Sequence, residues 1–191
     1  TAAVGVCVGL PVGRALAGLR GWRRASGAAL AFLPVVAPPV ALGVGVQLAF
    51  LRLGLGGTAA GVLAAHAVPA AGYLSLWFLG VFAARDAGPE EAARTLGASP
   101  WQTWRRVTLP SLRRPIAEGA ALAFLVSWAQ VALTQLVGAG AVRTLPTEVF
   151  AYVRAGQDRY AATGALLLTL PPLLALVAAR VAARRTGVPT L

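Results

Sequence analysis

The 191-residue chain is 58% apolar and only 12% charged, with a mean hydropathy of +0.72, whereas soluble domains run near 45–50% apolar and about 25% charged. A single core of this size cannot hide that much apolar sequence, which excludes an ordinary soluble domain and points to an integral membrane domain. The net charge of +11 comes from 17 basic residues, all arginine, against 6 acidic ones; in so apolar a chain this excess reads as membrane topology, not nucleic-acid binding.

A charge at the bilayer centre costs roughly 2.5–3.5 kcal/mol, so charge-free runs mark the membrane segments. Residues 1–13 carry no charge and end at Arg14, as the tail of a span would. Four more charge-free runs follow, at residues 25–51, 53–84, 119–142 and 160–179. Each reaches the roughly 20 residues that cross a bilayer as helix. No polar face remains for a soluble helix and no period-two alternation for a barrel. The expected fold is therefore all-α: one domain, residues 1–191, forming a bundle of five transmembrane helices, with a cytoplasmic two-helix loop at residues 85–115. Pro34, Pro38 and Pro39 should kink the second span and Pro171-Pro172 the fifth.

Arginine placement orients this bundle. One set of inter-span segments holds Arg14, Arg20, Arg23 and Arg24, then Arg85, Arg94, Arg105, Arg106, Arg113 and Arg114, then Arg180, Arg184 and Arg185. The other holds only Arg52, Arg143, Arg154 and Arg159. Positive residues accumulate inside, so the first set is expected in the cytoplasm, with residue 1 outside and Leu191 inside. The absence of Met, even at residue 1, suggests a segment of a longer chain, and the first apolar run lacks the flanks of a signal peptide. The lone Cys7 rules out an internal disulfide and a zinc thiolate site.

The loop has its own local logic. Gly88-Pro89 is a helix start, and Glu90 and Glu91 fall where a helix N-terminus favours anions, within reach of Arg94. Ala92, Ala93 and Leu96 would form a smooth face, and Gly97 would stop the helix in a left-handed conformation. Ser99-Pro100 should cap a second helix carrying Trp101, Trp104, Val107 and Leu112 at helical spacing, until Pro110 and Pro115 break it. An interfacial hairpin, with tryptophan at the headgroups and arginine on lipid phosphate, would share these features.

The order of residues favours another reading. Glu91-Ala92-Ala93, Gly97 after three residues, Val107 after nine more and then Leu109-Pro110 closely resemble the cytoplasmic signature loop of binding-protein-dependent permeases of ATP-binding-cassette importers. Only Val107, for isoleucine, departs from that pattern. The resemblance covers the whole chain and implies a five-helix permease core. Its loop, residues Glu91, Ala92, Ala93, Gly97, Val107, Leu109 and Pro110, would dock into a cytoplasmic ATPase. It also implies a place in a bacterial inner membrane, ATPase subunits as partners, a second permease half that is identical, different or fused, an extracytoplasmic solute-binding protein, and alternating access as the mechanism. No phosphate-binding Gly-x-x-x-x-Gly-Lys loop occurs, since the chain has no lysine. No cofactor is thus expected on this chain, and ATP with magnesium belongs to the partner ATPase.

Polar residues within spans are candidates for the solute pathway. Ser127, Gln130 and Thr134 would share one face of the fourth span, with Trp128 and Gln135 at its margins; hydrogen bonding between helices is the alternative role. His66 in the third span and Gln47 in the second carry a weaker signal, and Glu118 reads as a boundary charge beside Arg114. Thr144 to Arg154 should form a short outer helix, stopped by Gly156, with Asp158 capping the last span. Thr144-Leu145-Pro146 with Asp158-Arg159 resembles permeases of the polyamine, thiamine and iron(III) branch, of spermidine and putrescine type. No catalytic residue and no metal site is expected: paired carboxylates, a Ser/His/Asp set and metal-ligand spacing are all missing. A secondary transporter or channel is the rival reading, and it lacks an ion-coupling charge inside a span.

Overall fold

The computed structural model describes the backbone of residues 1–185 and the side chains of residues 1–175 and 177; Leu191 lies outside the described residues. The described chain is helical, without strands. Its centre is α4 (Ala59–Ala84), capped by the Thr58 hydroxyl, which accepts from the Gly61 amide at 3.0 Å. Ala70, Leu74 and Phe78 of α4 are fully buried and, with Ala123, make the main core.

α1 (Ala2–Gly18) lies alongside α4 in the same direction, and glycine sets the distance between them. A Cβ on Gly9 would sit 2.5 Å from Leu74 Cβ, and one on Gly13 would sit 2.6 Å from Phe78 Cβ, so the two backbones touch where any side chain would push them apart. α8 (Arg113–Trp128) returns antiparallel: Gly119 faces Leu74 and Trp77, and the Trp77 indole donates to the Pro115 carbonyl at 3.0 Å.

Two expected spans are broken. Residues 25–51 divide into α2 (Gly21–Val36) and α3 (Pro39–Arg52), which meet at 96°. Ala37 and Pro38 each precede a proline, which disfavours the helical region, and both have ψ near 130°. Instead of a kink, the chain turns a corner. Residues 119–142 divide into α8 and α9 (Ala132–Gly138), bent by 64°. No proline or glycine marks this second break, so periodicity alone could not reveal it. Among the described residues α4 is long and apolar enough to cross a membrane, and each bent pair would add one crossing if it forms a single span.

The loop forms α5 (Gly88–Thr95), α6 (Pro100–Thr103), a π turn over Trp104–Thr108 and α7 (Leu109–Ser111). The helix therefore runs through Pro110 instead of ending there, because the wider π turn before it takes up the missing proline donor. α10 (Leu145–Arg154) and α11 (Asp158–Arg185) complete the chain. Asp158 begins α11 and lies in its first turn, not at the cap, and α11 runs as one helix through Pro171-Pro172.

Candidate functional site

The α5 terminus is built by backbone hydrogen bonds. Gly97 has φ +83°, its amide donates to the Arg94 carbonyl at 2.9 Å, and the Ala98 amide reaches back to Ala93 at 3.0 Å. This is the double-bonded helix stop that a left-handed residue permits. A Cβ at Gly97 would meet nothing within 4 Å, so the requirement lies in the backbone angle and not in close approach. Ser99 then caps α6: its hydroxyl accepts from the Gln102 amide at 3.3 Å, while the Gln102 side chain accepts from the Ser99 amide at 2.8 Å.

On α5, Glu91, Ala92 and Leu96 are exposed, Leu96 at 88%. Ala93, Gly97 and the half-buried Val107 border one groove with Thr103 and Arg106. Leu109 is exposed and Pro110 half-buried. The expected pairing of Arg94 with the glutamates is not made. The carboxylate held in place is that of Glu90, whose Oε1 lies 2.9 Å from Arg85 Nη1 and accepts the Thr108 hydroxyl at 2.7 Å. Glu91, one residue further on, is turned about 100° around the helix and faces outward. A second contact went unseen in the sequence: the Arg14 guanidinium of α1 stacks over the Trp104 ring at 4.4 Å. No sequence periodicity links residues 90 apart.

At the far end of α4, His66 is buried between the two halves of the broken α8–α9 span. Its Nδ1 lies 3.0 Å from Ser127 Oγ and its Nε2 lies 2.9 Å from Thr134 Oγ1. The Thr134 hydroxyl donates to the Gln130 carbonyl at 2.9 Å, which leaves its oxygen to accept. The network therefore puts the ring proton on Nε2, which donates to Thr134; the Ser127 hydroxyl lies 3.0 Å from Nδ1 and is the donor to Thr1 Oγ1 at 3.2 Å. Ser127 and Thr134 thus meet through His66, not along a straight helical face as expected. Gln130, with His66, Ser127, Trp128 and Thr144, lines a cavity of about 350 Å³. Gln135 departs to an outer groove beside Arg143, and Trp128 donates to the Leu168 carbonyl at 3.2 Å. Glu118 pairs with Arg114 at 2.8 Å.

Beyond the cavity, Thr144 and Thr147 form the capping interaction that starts α10, and Arg143 holds Glu148 in its first turn through two hydrogen bonds of 2.7 and 2.6 Å. Those bonds keep the Glu148 carboxyl below the usual carboxylate range and raise the Arg143 guanidinium. Gly156, at φ +65°, stops α10 as expected. Among the described residues no group of three or more His, Cys, Asp or Glu could hold a metal ion.

Comparison with known proteins identifies the class. The family described as "binding-protein-dependent transport system inner membrane component" matches residues 5–188. The molybdenum transport system permease ModB of Mycobacterium tuberculosis is 40% identical over 186 residues, covering 90% of this chain and 70% of that protein. A Salmonella typhimurium protein named as a candidate 2-aminoethylphosphonate transport permease, PhnV, is 30% identical over 158 residues, covering 82% of this chain and 60% of its own length. The sulfate transport permease CysW of Synechococcus elongatus is 37% identical over 101 residues, covering 51% of this chain and 35% of that protein. The chain belongs to the binding-protein-dependent inner membrane permease family: it is the permease subunit of an ATP-binding-cassette importer, a transport component and not an enzyme. These relatives are named for molybdenum, phosphonate and sulfate transport, so the expected likeness to spermidine and putrescine permeases is not supported.

Proposed function

We propose that this permease carries a small oxyanion, delivered by an extracytoplasmic binding protein, by alternating access driven by an ATPase that docks on residues 85–115. The observation that carries the docking reading is the exposed face of Glu91, Ala92 and Leu96, presented at a helix whose end is fixed by Gly97. The small Ala92 side chain admits close approach by a partner, and the seven signature residues lie on this loop. In this reading the bent pairs α2–α3 and α8–α9 are single broken spans. With α1, α4 and α11 they make five crossings in one domain, oriented with residues 85–115 in the cytoplasm. A second permease half completes the pathway, and ATP with magnesium stays on the ATPase.

The solute class is supported by the names of three relatives and by the lining of the cavity near His66, where Ser127 and Gln130 supply polar groups and no carboxylate stands to repel an anion. Helix breaks of this kind, where irregular backbone lines a cavity, are how membrane proteins build pathways.

Ala92→Trp tests docking. It should abolish recovery of the ATPase with the tagged permease while membrane insertion is kept; full recovery would sink the docking reading. Uptake of labelled molybdate, sulfate and 2-aminoethylphosphonate by the complete transporter, compared with putrescine, tests the solute class. Transport of putrescine alone would overturn it. For orientation, a cysteine replacing Ala87 should react with an impermeant thiol reagent only in inside-out vesicles, and one replacing Ala155 only from the opposite side, both on a Cys7→Ser background.

A further inference from the structure

We propose that Glu90 and Trp104 are positioning residues for energy coupling: two side-chain ties fasten the loop to the α1–α4 pair and pass its movement toward His66. This rests on the docking reading above, and concerns what happens after the ATPase has bound.

The first tie is a junction on one oxygen atom. Glu90 Oε1 accepts the Thr108 hydroxyl in the π turn and forms an ion pair with Arg85, immediately after α4, whose Nη1 lies 2.9 Å away without directing a hydrogen bond to it. It joins α5, the end of α4 and the second loop helix. The Arg85 and Glu90 side chains are 18% and 20% exposed, so water competes little for either partner. The second tie is Arg14 over Trp104, which fastens the same π turn to α1. Both anchors therefore stand on the two helices that glycine presses together.

Those helices form a stiff pair. Gly5, Gly9 and Gly13 recur every fourth residue, facing Ala70, Leu74 and Phe78 in register, and α1 and α4 run parallel. Their far ends meet the polar cluster: Thr1 Oγ1 accepts from Ser127 at 3.2 Å, and Ser127 contacts His66. His66 and Arg85 are separated by about 28 Å of helix at 1.5 Å per residue. A displacement of the loop is delivered to α1 and α4 together, at one end of a body whose other end borders the cavity.

The test uses proteoliposomes containing the permease with its ATPase and binding protein, and measures ATPase retention, ATP turnover and solute carried per ATP. Glu90→Ala and Trp104→Leu should retain the ATPase and its turnover yet lower solute per ATP by about tenfold. Trp104→Phe, which keeps a ring beneath Arg14, should stay near the unmodified level. Thr108→Val removes one hydroxyl without changing shape, and should lower solute per ATP by about two- to threefold, which decides the matter if Glu90→Ala fails to insert. Unchanged solute per ATP in Trp104→Leu and Thr108→Val overturns the proposal. Loss of the ATPase in Glu90→Ala and Trp104→Leu also overturns it, by making these residues part of the docking surface. The docking reading itself fails separately, if Ala92→Trp retains the ATPase.

Discussion

The loop at residues 85–115 and the polar cluster around His66 are built by opposite means. In the loop, every backbone stop and start is written within a few residues: Pro89 opens α5, Gly97 closes it, and Ser99 with Gln102 opens α6. The cluster joins residues 61 and 68 positions apart, through a break that no proline or glycine announces. Local conformational rules shape the surface proposed for docking, whereas tertiary packing assembles the cavity. The two regions should therefore fail differently when altered.

The largest expected effect falls on the loop. Gly97→Val places a β-branched residue at φ +83°, at a cost of about 1–2 kcal/mol or more, and should abolish ATPase recovery and uptake with the spans still inserted. Because a Cβ there meets nothing, Gly97→Asn, which tolerates the left-handed region, should restore much of both. If Asn is as damaging as Val, the requirement is for space against the partner and the local account is wrong.

His66→Leu should act through stability. It removes the ring nitrogens that contact Ser127 and Thr134, whose own hydroxyls still reach Thr1 and the Gln130 carbonyl. A loss of about 1–3 kcal/mol is expected, seen as earlier thermal unfolding of the purified transporter, with ATPase docking intact. Loss of docking without lower stability would mean that the two regions are not separable in this way.

Gln130→Leu is smaller in stability and sharper in meaning. The Gln130 amide makes no hydrogen bond among the described residues and borders the cavity with His66 and Ser127. Stability should change by no more than about 0.5 kcal/mol, while uptake falls several-fold. Normal uptake would remove Gln130 from the pathway.

How much was legible follows the same division. Helical class and the stops at Gly97 and Gly156 come from composition and turn chemistry, which act locally. The corner at Ala37-Pro38 was half-visible: the prolines were there to read, but the same Pro-Pro pattern at Pro171-Pro172 passes within one helix, so the pair alone does not say that the chain turns. The α8–α9 break was invisible, because the hydrogen bond that satisfies its Gln130 carbonyl comes from Thr134, a residue equally at home in a straight helix. Glu90 was misjudged in favour of a pair with Arg94, because helical spacing brings Arg94 near but says nothing of Arg85 and Thr108, which approach from outside the helix.

The smallest expected effect tests whether a local pair matters beside the cavity. Arg143 and Glu148 lie just beyond Thr144, which lines it, and Glu148 also stands in the first turn of α10, where a negative charge is favoured. Its carboxyl is held below the usual value of about 4.3, so the folded state binds its proton less readily than the unfolded chain. The stabilisation is then fully present above the ordinary carboxylate pKa and is lost as pH falls through the depressed folded value; Arg143, raised, stays charged throughout. Arg143 is 74% exposed, so salt screens the pair and the contribution is slight. Glu148→Gln should unfold marginally earlier than the unmodified protein at pH 7 in low salt, and the two melting curves should converge on acidification or in high salt. A gap that persists in acid would assign the effect to the fit of the α10 cap beside Thr144 and Thr147 and not to charge, and the local electrostatic account would give way to a packing one, as it does at His66.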